Sequence, residues 1–185
     1  MYGWSTMPDQ YVLDYIYRHE IRPRTQPLFI EFVLVTSHAP FHHQPPYLKD
    51  WSRIGEGQIY QEIEAVTFPI VWPDLSNASE GYVTAIIYDL NVISDFIMRY
   101  IDNNALIIVL GDHQPNVQIT GKNQPWSVPV HVISNTNKLL EPFRKRGYSP
   151  GLIPTQPPPH RGMETFLHDF LADFSTAEKL ANDEQ

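Results

Sequence analysis

The chain has 185 residues, 42% of them hydrophobic and 18% charged, with 13 basic against 21 acidic side chains and a formal net charge of −8. A globular chain of this size can bury a sizeable core unaided, and with no cysteine both a disulfide framework and a thiolate metal site are excluded. Net acidity without a Lys/Arg cluster speaks against a phosphate backbone, and so against nucleic acid, as the partner.

Ser5 or Thr6 can cap a helix whose first turn holds Pro8 and Asp9. Tyr11, Val12, Tyr15 and Ile16 share one face, which predicts a helix over residues 7–20. That stretch lacks the basic-then-apolar order of a signal peptide, so any export signal is expected outside this chain. Pro23 and Pro27 break the helix, and Leu28 to Val35 is an apolar, β-branched run that reads as a buried strand ending at Thr36-Ser37-His38. From Ala39 to about Asn77 periodicity dissolves among prolines and scattered aromatics, a long loop of the kind that usually carries function.

Periodicity returns at Val83, Ile86, Ile87, Leu90, Ile93, Phe96, Ile97, Tyr100 and Ile101, which predicts a helix over 79–102 with Ser79 as its cap. Asp89 and Asp95 are expected at outward or boundary positions on it, with Asp89 satisfying a nearby backbone group. A turn at Asp102-Asn103-Asn104 leads into a strand over 105–110 that stops at Gly111-Asp112-His113-Gln114-Pro115. Ala105 to Leu110 is the longest clean apolar run, well short of the ~20 residues of a bilayer-crossing helix. A strand over 128–134, a short helix over 139–145, a proline-rich loop over 147–159 and a helix over 163–174 follow. This alternation predicts an α/β fold in layers, helices on both faces of a largely parallel sheet, over residues 1–175, with 176–185 as a frayed tail.

In open α/β sheets ligands gather beyond the carboxyl ends of the strands. One predicted strand delivers His38 there and another delivers Asp112 and His113, which a parallel sheet brings to the same edge. An Asp with a His offers a hard oxygen and an imidazole nitrogen, donors that suit Zn²⁺, Mn²⁺ or, through oxygen, Ca²⁺. The competing reading of Asp112 is a turn cap, and of His38 a solvent-facing turn histidine. His42 and His43 read as loop decoration, His131 as a core or face histidine, and His160 and His168 as surface. Trp4, Trp51, Trp72 and Trp126 read as packing anchors at element edges.

Tyr2-Gly3-Trp4-Ser5, Pro8-Asp9-Gln10, the strand ending Thr36-Ser37-His38-Ala39-Pro40-Phe41, the stretch Tyr82 to Ile97, Ile107 to Pro115 and Val128-Pro129 occur in an order that resembles the sulfatase-like branch of the alkaline phosphatase superfamily. The likeness covers about residues 2–135 and is closest to membrane-anchored enzymes of the lipoteichoic acid synthase and phosphoethanolamine transferase type. It implies an alkaline-phosphatase-like α/β/α layering, of which this chain is the carboxyl-terminal half. It implies metal-dependent hydrolysis or transfer at a phosphate or sulfate ester of an envelope lipid or glycan. Asp112 and His113 would be two ligands of a divalent ion (Mn, Zn, Ca or Mg), and His38 would contact the anionic ester. The nucleophile and an acidic ligand would lie ahead of residues 2–10, so no catalytic nucleophile is assigned here and the 185 residues alone are expected to be inactive. The implied location is the extracytoplasmic face of the cell membrane, held by segments outside this chain. The alternative is a non-catalytic extracytoplasmic binding or assembly domain on the same scaffold.

Overall fold

The computed structural model describes Tyr2 and residues 7–101, 104–156 and 160–175. The expected Ser5 or Thr6 cap, Trp4, the Asp102-Asn103 part of the turn and the 176–185 tail lie outside the described residues. The chain divides into two compact units, residues 1–101 with 115–124, and residues 102–114 with 125–185.

In the first unit, Pro8 sits in extended backbone ahead of helix α1 (Asp9–Ile16), which runs on through a π-helical turn at Tyr17–Ile21. A proline suits that boundary because its missing N–H has no partner to lose. Gln10, fully buried, pairs with the Leu48 backbone through both amide atoms: Nε2 donates to the Leu48 carbonyl at 2.7 Å and Oε1 accepts from the Leu48 N–H at 3.0 Å. The Tyr60 hydroxyl donates to the same Oε1 at 3.3 Å, and the Gln10 backbone N–H donates to the Tyr88 hydroxyl at 3.3 Å. An open first-turn N–H of the helix is thereby satisfied by a side chain from elsewhere in the chain.

The segment expected as a long functional loop supplies part of the core while much of it stays exposed. It contains strand β1 (His43–Gln44), a 3₁₀ turn at Trp51–Arg53, helix α2 (Ile59–Glu62) and strand β2 (Val66–Thr67), which pairs antiparallel with β1. Leu48, Trp51, Ile54 and Tyr60 join Leu13, Tyr88, Val92 and Phe96 in one cluster, while Phe41, Ile70, Leu75, Ala78 and Ala85 form a second. Helix α3 (Ser79–Tyr100) buries Gly81, Ala85, Tyr88, Asp89, Val92 and Phe96 against them, the row that three- and four-residue spacing sets. Gly81 is required by close approach, since a Cβ there would stand 2.9 Å from Ile70 Cδ1 and 3.2 Å from the Phe41 carbonyl oxygen. By length and hydropathy alone α3 passes for a membrane-crossing helix, but its buried row places it as a core helix of this unit. Asp89 is only 6% exposed, which corrects its expected outward position.

The run 28–35 corrects a second expectation. It is extended but forms no strand ladder among the described residues. Ile30, Phe32 and Leu34 pack on the first cluster while Phe29 (82%) and Val33 (76%) face solvent. A two-residue period with one face open replaces the strand buried on both sides.

In the second unit, strands β3 (Ile107–Leu110) and β4 (Val130–Ile133) pair with Ile107 opposite Ile133 and Leu110 opposite Val130. They are antiparallel, against the expected largely parallel sheet. A parallel pair needs a crossover of a dozen or more residues, usually helical. The connection, residues 111–129, is long enough for a crossover, but its one helix is the four-residue α4 (Val117–Thr120), too short to span a strand pair. Helix α5 (Asn137–Lys145) lies against β4, and its buried Phe143 meets Tyr148 and the Phe174 ring of helix α6 (Glu164–Phe174). Among the described residues the fold is mixed α and β, with two short antiparallel strand pairs.

Candidate functional site

His38 belongs to the first unit, Asp112 and His113 to the second. His38 closes a turn in which its N–H donates to the Val35 carbonyl at 3.1 Å. Its ring is exposed, and Nδ1 is 2.7 Å from the Ala39 carbonyl oxygen. A carbonyl only accepts, so Nδ1 carries the proton and the ligand-binding chemistry of the ring falls to Nε2. Phe41, two residues past Ala39, has a positive φ of 62° that a bulky residue adopts at a cost of about 1–2 kcal/mol. Its burial in the second core cluster, edge-on to Tyr82 at 5.6 Å, holds it there.

The other side of the turn is fastened by Asp9. Its Oδ2 accepts from the Val35 N–H at 3.1 Å, the Thr36 N–H at 2.8 Å and the Thr36 hydroxyl at 2.6 Å. Asp9 is itself 2% exposed, and the residue read as an ordinary first-turn acid is in fact the anchor of the His38 turn. Beside it lies Asp89, reached by the Ser37 side chain and backbone. Burial, with the Asp9 charge second, pushes the Asp89 carboxyl up to about 7.

The folded chain therefore keeps a proton that an unfolded carboxyl, with a pKa of about 3.9, has lost. The stability that Asp89 contributes is fully present below about pH 4, is lost as pH rises toward 7, and is gone above it. Urea midpoints are expected to drop between pH 5 and pH 7 by an amount equivalent to roughly 2 kcal/mol, and a midpoint that rises or stays level over that interval contradicts the assignment. His42 acts with the opposite sign, since burial and the neighbouring His43 lower its pKa, but its ring is only lightly covered.

In the second unit β3 ends at Leu110, the Gly111 N–H reaches the Pro129 carbonyl at 3.4 Å, and the chain leaves the ladder at Asp112. Gly111 packs 3.4 Å from Val128 through the position a Cβ would take. Asp112 Oδ1 accepts from the His113 N–H at 2.8 Å, a local bond to the very next residue. Its Oδ2 stands 3.4 Å from His113 Nε2, while His113 Nδ1 is 2.7 Å from the Gln114 carbonyl oxygen. Gln114 is fixed in turn by a hydrogen bond from its side chain to the Ser127 carbonyl. Both side chains are largely open to solvent, at 85% for Asp112 and 69% for His113.

The distance between these two donors is compatible with a shared divalent ion. A separation of 3.4 Å exceeds an ordinary N–H···O hydrogen bond. Two ligands at about 2.1 Å from a tetrahedral ion stand about 3.4 Å apart. The Nδ1–H···O=C bond fixes the tautomer that leaves Nε2 as the donor, the usual support of a metal-binding histidine. Two ligands make half a site, and no group of three or more candidate ligands occurs among the described residues.

Of the remaining candidates, the His42 and His43 rings lie 4.6 Å apart, with His43 Nδ1 3.2 Å from the Thr67 hydroxyl. Trp51 is buried, whereas Trp72 and Trp126 are exposed at 61% and 89%. An open cleft of about 320 Å³ between His19 and Leu28 contains none of the three predicted site residues. No protein-family model, curated protein or solved structure matches the chain.

Proposed function

We propose that this chain is the carboxyl-terminal half of a metal-dependent, sulfatase-like catalytic domain that hydrolyses or transfers a phosphate or sulfate ester of an envelope lipid or glycan. The observation that carries the reading is the Asp112–His113 arrangement, an exposed carboxylate oxygen and a tautomer-fixed imidazole nitrogen set at the spacing of two ligands on one ion. An ion held there supplies activation of a hydroxyl nucleophile and neutralisation of charge on the transferring group. Asp112 contributes the negative charge that retains a cation, and His113, locked by Gln114, contributes a neutral donor without reorientation. His38, seated by Asp9 and braced by Phe41, supplies a polar ring for the ester's oxygens. The implied location is the extracytoplasmic membrane face.

The test joins the chain to the nucleophile-bearing half and measures turnover of phospho- and sulfo-esters before and after chelation. Turnover that chelation abolishes and one divalent metal restores is the expected result. A folded, joined domain that turns over neither ester with any of Mn, Zn, Ca or Mg removes the enzyme reading and leaves a binding module. The 185 residues alone are expected to bind such ions weakly, having two ligands where a stable site needs three or four.

A further inference from the structure

The Asp9–Asp89 pair has no part in the proposed metal site, yet it is the most heavily buried acidic feature of the first unit. Asp9 and Asp89 are 2% and 6% exposed, and Asp89 Oδ1 has no hydrogen-bond partner among the described residues. A buried carboxylate with an orphan oxygen beside a second carboxylate is doubly costly, through desolvation and through like charge. One proton held between the two removes both costs, because the protonated acid donates to its neighbour instead of repelling it. The groups facing the pair are named by the elements packed there. Asp9 comes from α1, Asp89 and the buried Tyr88 from α3, and the Thr36 and Ser37 hydroxyls and backbone, with His38 next in line, from the turn.

We infer that Asp89 is a positioning residue for His38: protonated and donating to Asp9, it completes a buried acid pair on which the Val35–His38 turn is seated, and ionisation of the pair loosens that turn. The part of this that concerns ester binding rests on the reading of His38 given above. The seating itself does not, since it follows from the bonds of Asp9 to Val35 and Thr36 and from the contact of Asp89 with Ser37. Burial of both acids, rather than a cation beside them, sets the transition near neutrality, where a carboxyl in water has long been ionised.

Amide hydrogen exchange on the 185-residue chain tests it. Protection factors of the Val35 and Thr36 amides, each referred to its intrinsic rate at the same pH, are measured alongside those of Val92 and Phe96 in the core of α3. Between pH 6 and pH 8 the turn's factors are expected to fall about tenfold in the native sequence, as the ionised fraction of the pair rises from about one-tenth to about nine-tenths, and to stay below those of Val92 and Phe96, which marks a local opening. In Asp89→Asn, which keeps a neutral donor of the same shape, they are expected to stay flat. Flat factors in the native sequence, turn amides as well protected as the α3 core, or the same tenfold fall in Asp89→Asn overturns the proposal. If Asp89→Asn does not fold, the native profile decides alone. A merely structural role for Asp89 would lower protection without moving its pH profile. Exchange needs no substrate, so a seated turn in a domain that turns over no ester would leave the acid pair standing and remove only the catalytic reading.

Discussion

Asp112→Ala in the joined catalytic domain is expected to lose about 10³-fold in ester turnover, with bound metal reduced and the unfolding midpoint nearly unchanged. The magnitude follows from the several kcal/mol a metal ion contributes at a reacting phosphoryl or sulfuryl group, at about 1.4 kcal/mol per decade of rate. The unchanged midpoint follows from exposure: the carboxylate is 85% open, and its bond within the protein is the local one to the His113 N–H. Such surface positions shift stability by about 0.5 kcal/mol. Asp112→Asn separates the two readings, because an amide oxygen still accepts from the His113 N–H but brings no charge to a cation. Full turnover and unchanged metal content in either variant would leave Asp112 a turn cap and nothing more.

Asp9→Ala is expected to cost about 3 kcal/mol in urea unfolding at pH 7. The substitution strips the Val35 N–H, the Thr36 N–H and the Thr36 hydroxyl of their common acceptor in a site with little access to water. Hydrogen bonds to a charged group are worth about 1.5–3 kcal/mol each, and buried donors left unmet add to the loss. Against this, removing Asp9 also removes the like charge beside Asp89, which returns part of the cost at neutral pH. That return shrinks at pH 5, where Asp89 is already neutral, so the penalty is expected to grow on acidification. Asp9→Asn, which keeps one acceptor oxygen, is expected to lose about half as much. A penalty below about 1 kcal/mol for Asp9→Ala at both pH values would mean that Asp9 does not hold the turn.

What could be read from the sequence divides along physical lines. Helix α3 was legible in its extent, but the apolar row that marked it is not the buried one: Val83, Ile87 and Leu90 are exposed at 52%, 53% and 53%, while Gly81, Ala85, Tyr88, Asp89, Val92 and Phe96 are buried. The placement of Asp112 and His113 just past a strand was legible from the apolar run before them. The direction of pairing was not, since composition marks a strand without saying which neighbour supplies its hydrogen bonds. The segment from Ala39 to Asn77 reads as loop because Phe41, Leu48, Trp51, Ile54 and Leu75 follow no period, yet all are buried. Its polar half was equally hidden, for Gln10 becomes a core residue only by meeting Leu48. Asp89 did leave a trace. It stands four residues past Ala85 and three before Val92, on the buried row itself, where an acid needs a partner.

The hold of Gln10 on Leu48, 38 residues away, and of its backbone on Tyr88, 78 residues away, has a kinetic consequence. Contacts so distant in sequence are slow to close, and α1 acquires its native bonds only when α3 and the intervening chain have arrived. Once made, they leave α1 no private route of opening. Its amides are expected to be released together with those of α3, and exchange that frees α1 well before α3 would contradict this.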